Sequence, residues 1–261
     1  MVRMISTEVS DLLNSKYLKF NNLNFIELDP ICIPHRFTNK QDIEISGFFA
    51  AVLAWGQRKT IINKCTELMQ KMDNTPFEFI QNAGDKDLKK LENFVHRTFN
   101  FVDLMYFIEF FKAHYKQYES FEDAFLIGNN SENNLKENLS NFRKYFFSLE
   151  DSPHRTRKHI SSPDSNSACK RINMYLRWMV RKDNNGVDFG IWNRLKPAQL
   201  VIPCDVHVEN IARRLNLTNR PKADWKMAEE ITEYLSHLDP EDPSKYDFAL
   251  FGMGIEKYFG T

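Results

Sequence analysis

Apolar residues recur at intervals of three and four along most of this chain, and runs that alternate apolar with polar are few, so the pattern predicts helices rather than strands. The clearest stretch lies between Ile43 and Met72. There Ile45, Phe48, Phe49, Val52 and Leu53, and then Ile61, Ile62, Cys65, Leu68 and Met69, mark the inner faces of two helices separated by a tight turn around Gly56. Further helices are predicted over 75–82, with Pro76 at a favoured first position, and over 85–95, 101–118, 120–126, 139–149 and 167–181. An irregular connection through Asn184, Asn185 and Gly186 follows. The apolar run from Leu200 to Pro203 then leads into a helix over 206–215, and helices near 225–238 and 246–258 finish the chain. Two polar stretches predict loops, an Asn- and Ser-rich one over 128–141 and a basic, Pro- and Ser-punctuated one over 151–166. The expected fold class is all-α, with a bundle of about six helices over 42–182, a second helical unit made from 1–41 and 183–261, and a cleft between the two.

Composition narrows the class without naming a function. With 261 residues, 42% of them hydrophobic and 22 of them Phe, the chain can bury a sizeable core. Its longest uncharged apolar stretch, Ile45 to Trp55, is far below the roughly 20 residues a membrane span needs, and residues 1–15 lack the apolar centre of a signal peptide. A cytoplasmic protein is expected, free of the membrane and monomeric. Cys32, Cys65, Cys169 and Cys204 are scattered, with no pair or Cys/His cluster at metal-ligand spacing, so neither a metal, an iron-sulfur cluster nor another cofactor is expected.

Thirty-five basic residues balance thirty-five acidic ones, and only their distribution adds information. Between Arg143 and Lys182 ten Lys and Arg face Glu150, Asp151 and Asp164 alone, a pattern that suits a phosphate backbone, although charge runs are usually solvated faces.

Two segments inside and after that basic stretch carry candidate chemistry. In SACKRINMYLRWMVRK, over 167–182, helical spacing lines up Lys170, Met174, Arg177 and Arg181 on one stripe and leaves Ile172, Leu176 and Met179 for the core. Lys170 falls in the first turn, where the helix dipole and Arg171 both favour the neutral amine that a lysine nucleophile needs. In IPCDVHVENIARRLNL, over 202–217, Asp205 opens an amphipathic helix that turns Val208, Ile211, Ala212 and Leu215 inward. Aspartate is a preferred N-cap, and a capping carboxylate held rigid and ionised also suits the stabilisation of positive charge on a sugar as a base departs. His207 reads as a partly buried structural histidine.

The run Pro203, Cys204, Asp205, Val206, His207, Val208, followed by Arg213, Arg214, Leu215, Asn216 and Leu217, resembles the helix-hairpin-helix glycosylases of DNA base-excision repair. These carry a lysine on the second helix of a DNA-binding hairpin, then a Pro-Val-Asp-[Thr/Val]-His-Val stretch whose aspartate is the catalytic carboxylate. Residues 50–69, AAVLAWGQRKTIINKCTELM, are similar to the family's early helix, turn and helix, where Gln57 matches the glutamine that fills the gap left by an extruded base. Asn74, Thr75 and Pro76 continue that likeness, and LDPEDPSKYDFALFGMG, over 238–254, is similar to the family's closing helix. The likeness spans about 42 to 255, and its specific part is the Asp205 segment. The chain departs from the pattern in its hairpin, where the family's Leu-Pro-Gly-Val-Gly becomes SPDSNSACK with no glycine to let backbone amides approach a phosphate. It also departs in a long gap between Lys170 and Asp205, with an insertion around 184–199 comparable to that of the archaeal 8-oxoguanine glycosylases, which likewise lack the iron-sulfur cluster.

The resemblance implies a DNA glycosylase with AP-lyase activity, acting on duplex DNA with a damaged base, an oxidised purine among the candidates. In that reading Lys170 attacks C1′, Asp205 stabilises the oxocarbenium-like centre, and Gln57 fills the vacated stack. Arg171, Arg177 and Arg181 grip phosphates, and Trp55, Phe248 and Phe251 are candidates to stack on the base. Two other readings stay open. The missing hairpin glycines favour a catalytically silent nucleic-acid-binding protein, and the zero net charge favours a helical protein that binds a partner or small molecule.

Overall fold

The computed structural model describes residues 6–128 and 135–260. These form α1 (Thr7–Phe20), α2 (Asn24–Glu27), α3 (Lys40–Val52), α4 (Arg58–Lys71), α5 (Pro76–Asn82) and α6 (Asp85–Lys89). The order continues through α7 (Phe101–Tyr115), α8 (Leu135–Phe146), α9 (Lys170–Val180), α10 (Val206–Arg214), α11 (Trp225–Ser236) and α12 (Asp247–Ile255), with short 3-10 turns between. No strand occurs among the described residues, only an isolated bridge between His96 and Phe99, so the chain is all-α as expected. No helix among them is long and apolar enough to cross a membrane.

Side chains that satisfy free amides set where the helices begin. Asn39 accepts from Gln41 and Asp42 at the head of α3, and Asn100 and Asp103 form a reciprocal capping box on α7. The Asp224 side chain caps α11 by accepting from the Met227 amide, and Pro76 opens α5. The pattern over 85–95 promised a longer helix than the five residues of α6. Its later apolar residues, Leu91 and Phe94, are buried from a turn and the irregular segment after it rather than from helix, which the spacing alone does not distinguish. Residues 120–126 form a 3-10 turn, Phe121–Phe125. Of the loop expected over 128–141, residues 129–134 lie outside the described residues, and Leu135–Phe146 is already α8.

The chain divides into two compact units. One, Ile26–Glu132 with Glu137–Ser161, is built on phenylalanine: the ring of Phe48 meets Phe107, Phe111, Phe121, Phe142 and Phe146 at centroid distances of 5.0 to 6.0 Å. Edge-to-face pairs of this kind add to the apolar burial that holds such a core. The other unit comprises Met1–Phe25, Asn133–Lys136 and Ser162–Thr261. Its core gathers Leu13, Ile202, Val208, Ile211, Met227, Ile231, Leu250 and Met253. Within it α12 packs on both α1 and α10. That approach requires small residues on α12: a Cβ at Gly252 would come within 2.2 Å of the Phe20 ring, and one at Gly254 within 2.5 Å of the His207 Cβ. The boundary therefore falls at Ser162 and not after Lys182 as the sequence suggested, and α9 shares a unit with Asp205.

Candidate active site at Lys170 and Asp205

Asp205 sits on extended backbone at the head of α10, where its Oδ1 accepts from the amides of His207 at 2.9 Å and Val208 at 3.0 Å. Buried Ile202 and Cys204 anchor the approach, and the Ile202 amide donates to Thr232 Oγ1 on α11 at 3.0 Å. With one carboxylate oxygen committed to the cap, the other faces outward. Asp205 Oδ2 lies 3.7 Å from Lys170 Nζ, an ion pair rather than a hydrogen bond. The lysine side chain keeps 30% of its exposure and the aspartate 16%, so the pair is fixed yet reachable.

Lys170 is the first residue of α9, and the chain reaches it through the segment without glycine. Two residues there, Asn166 at φ 57° and Cys169 at φ 50°, adopt the left-handed conformation that glycine reaches most readily. Asparagine tolerates that state; for a cysteine it costs about 1 kcal/mol or more. Neighbouring bonds hold the turn, since Ser167 Oγ accepts from the Cys169 amide at 3.2 Å and Asn173 Nδ2 donates to the Ala168 carbonyl at 3.1 Å. The left-handed turns thus persist where glycines are absent.

The rest of the cationic stripe has a different fate, and the phosphate-gripping role expected of Arg177 and Arg181 is corrected here. Arg177 is 3% exposed, with Nε on Asp188 Oδ1 at 3.3 Å, Nη1 on Asp247 Oδ2, and its guanidinium 4.2 Å from the centroid of the Phe248 ring. Arg181, at 1%, donates to Asp188 Oδ2 at 2.5 Å, Asp242 Oδ2 at 2.8 Å and Asp183 Oδ2 at 2.9 Å. Burial works against its charge, but Asp188 and Asp242 outweigh burial and hold it protonated. Guanidiniums this deeply buried and paired with carboxylates are closed to a phosphate from solvent. Phe248 is likewise corrected as a stacking candidate, because it is fully buried beneath Arg177.

Phe251 is half-buried, its ring edge-on to His207 at 5.8 Å. His207, packed against Gly254 and Phe251, is the partly buried histidine expected. Arg171 is half-buried, and burial lowers its affinity for the proton. Gln57 and Trp55 belong to the phenylalanine-rich unit. Gln57 is exposed at the head of α4, its side chain making no capping bond. Half-exposed Trp55 carries the Arg97 guanidinium 5.0 Å from its ring centroid, and its Nε1 is buried without a hydrogen-bond partner.

Sequence reasoning missed Asp247 and Asp188. Asp247 opens α12 with its side chain buried, and burial, against the pull of Arg177, pushes its carboxyl up to about 7. Asp205 adds to that rise and Lys170 opposes it, which places both in its electrostatic surroundings. A helix-opening Asp in KYDFALFGMG carries the signal of a cap, not of a buried partner. The arrangement therefore joins an accessible amine, a rigid carboxylate and a buried carboxyl that titrates near neutrality. No group of three or more His, Cys, Asp and Glu placed to hold a metal ion occurs among the described residues.

The chain belongs to the family described as protein of unknown function (DUF2400), whose model matches residues 29–256. No curated protein and no solved structure matches it.

Proposed function

We propose that this member of the family is a helix-hairpin-helix type DNA glycosylase with AP-lyase activity, working through Lys170 and Asp205. The observation that carries the reading is the 3.7 Å approach of two side chains separated by an insertion in sequence, with the carboxylate oxygen that faces the amine free of the cap. A neutral amine at Lys170 adds its lone pair to C1′ of a nucleotide turned out of the duplex while the bond from C1′ to the base nitrogen breaks. The departing base takes the bonding pair and a proton, Asp205 stabilises the positive charge on the sugar, and ring opening leaves an imine on Lys170. The half-exposed pair suits such an encounter.

The test is borohydride trapping against duplexes carrying 8-oxoguanine, oxidised pyrimidines or an abasic site. The parent protein is expected to give a covalent complex that Lys170→Ala does not. If no substrate is trapped while salt-sensitive DNA binding persists, the protein is a binder that shares the residues without the chemistry. If DNA binding is absent too, the nucleic-acid reading fails.

A further inference from the structure

Lys170 and Arg177 on α9, with Arg181 just past its end, meet five carboxylates: Asp205, Asp247, Asp188, Asp183 and Asp242. The next cation, Lys245, brings its own partner, Asp239. A largely buried cluster with more carboxylates than cations is under pressure to keep one of them protonated. Asp247 is the one placed to do so. Its side chain is buried at the head of α12, its ion-pair partner Arg177 is shared with Asp188, and Arg177 stands two turns along α9 from Lys170.

From this cluster we propose that Asp247 is the proton-holding positioning group of the Lys170 site: loss of the ammonium proton at Lys170 and uptake of a proton at Asp247 favour one another. The inference rests on the glycosylase reading for its use, though not for its test. Each event is a simple ionisation. One proton leaves Nζ and one joins an Asp247 oxygen, so the charge of the cluster is unchanged when the two coincide. The amine needed for imine formation then appears without leaving an extra buried anion behind, and Asp247 acts through Lys170 without touching a substrate. Its titration near neutrality is in keeping with this role.

The groups that bear on Asp247 come from every neighbouring element. Arg177 and Lys170 face it from α9, Asp205 from the head of α10, and the Cys204 thiol, itself pushed up to about 12 by burial, from the approach to α10. Asp188 lies across Arg177, and Asp242, from the turn before α12, on Arg181. His207 of α10 packs farther along α12 at Gly254, and Lys16 and Lys19 of α1 pair with Glu256 at its far end.

The test measures acetylation of Lys170 by acetic anhydride against pH, read by peptide mass spectrometry, in the full chain without DNA. Asp247→Asn keeps an acceptor for Arg177 and removes the charge, and it is expected to move the labelling midpoint of Lys170 down by about one pH unit. Glu256→Gln, which removes a carboxylate from just past the far end of the same helix, is expected to leave the midpoint in place. The reciprocal measurement serves if Asp247→Asn does not fold: in Lys170→Gln, carbon-13 NMR is expected to find the Asp247 carboxyl titrating higher than in the parent. An unmoved midpoint in either measurement overturns the proposal. A shifted midpoint in a protein that traps no DNA keeps the coupling and overturns the glycosylase reading instead.

Discussion

The two ends of α9 carry the same kind of residue and do opposite things. Lys170 is the first residue of the helix and Arg181 the extended residue that closes it, yet the lysine keeps 30% of its side-chain exposure and the arginine 1%. The difference lies in what faces them. At its start the helix meets a single capping carboxylate, so the amine stays at the surface, whereas towards its end it meets carboxylates from the chain that follows and from α12, which fill a guanidinium fork completely. A cationic stripe thus divides into a chemical end and a structural end according to how many anions the fold delivers to each.

The strongest way to break this contrast is to truncate each end in turn. Arg181→Ala leaves Asp188, Asp183 and Asp242 without their shared cation, and loss of one member of a buried network costs about 3–5 kcal/mol. Lys170→Ala breaks a partly solvated pair and is expected to cost less than about 1 kcal/mol. Urea unfolding measures both, and equal losses would erase the distinction.

That contrast also marks what the sequence could show. Spacing placed Lys170, Arg177 and Arg181 on one stripe, and the all-α class followed from the same periodicity. The Asp205 cap was legible as well, because capping is a local matter of one side chain and the two or three amides after it. The partners of Arg177 and Arg181 were not, since Asp188, Asp242 and Asp247 reach them through tertiary packing and leave no periodic trace. For the same reason the unit boundary was misplaced: α9 reads as the end of the basic segment but is held by carboxylates that follow it. The left-handed turns at Asn166 and Cys169 were hidden by the absence of glycine, the residue by which such turns are usually read.

At the chemical end, Asp205→Asn separates cap from catalyst. Asparagine caps about as well as aspartate, so the melting temperature is expected to hold. Loss of the charge is expected to slow base release by about 10²-fold or more, with DNA affinity nearly unchanged. A variant that melts like the parent and cleaves a confirmed substrate as fast would leave Asp205 a cap alone.

Asp247 pairs with Arg177, between the two ends, and pH distinguishes its contribution. Its carboxyl is raised from 3.8 to about 7 in the fold. The stabilisation it gives as a neutral group is therefore complete below about 4 and is lost as pH rises towards 7. Asp247→Asn does not titrate, so its melting temperature relative to the parent is expected to improve between pH 4 and 7. A constant difference over that range would mean that Asp247 stays ionised and is only a strut for Arg177.

The smallest effect expected concerns DNA binding, and it asks whether exposure alone selects the phosphate contacts. Lys170 and Lys182 flank the buried part of α9, and Lys182 is exposed beside buried Arg181. Each lysine that touches a phosphate releases condensed counterions, so Lys182→Ala is expected to lower the slope of log affinity against log salt by about one. Arg157 and Lys158, exposed in the 3-10 turn before Ser162, are expected to act likewise. Arg177→Lys keeps a cation inside the network and is expected to leave the slope unchanged, because no phosphate reaches it. If the slope is the same in all four variants, the basic segment is a solvated face and the nucleic-acid reading loses its electrostatic support. If Arg177→Lys alone changes it, the buried end of the helix opens on binding, and the division between the two ends holds only for the free protein.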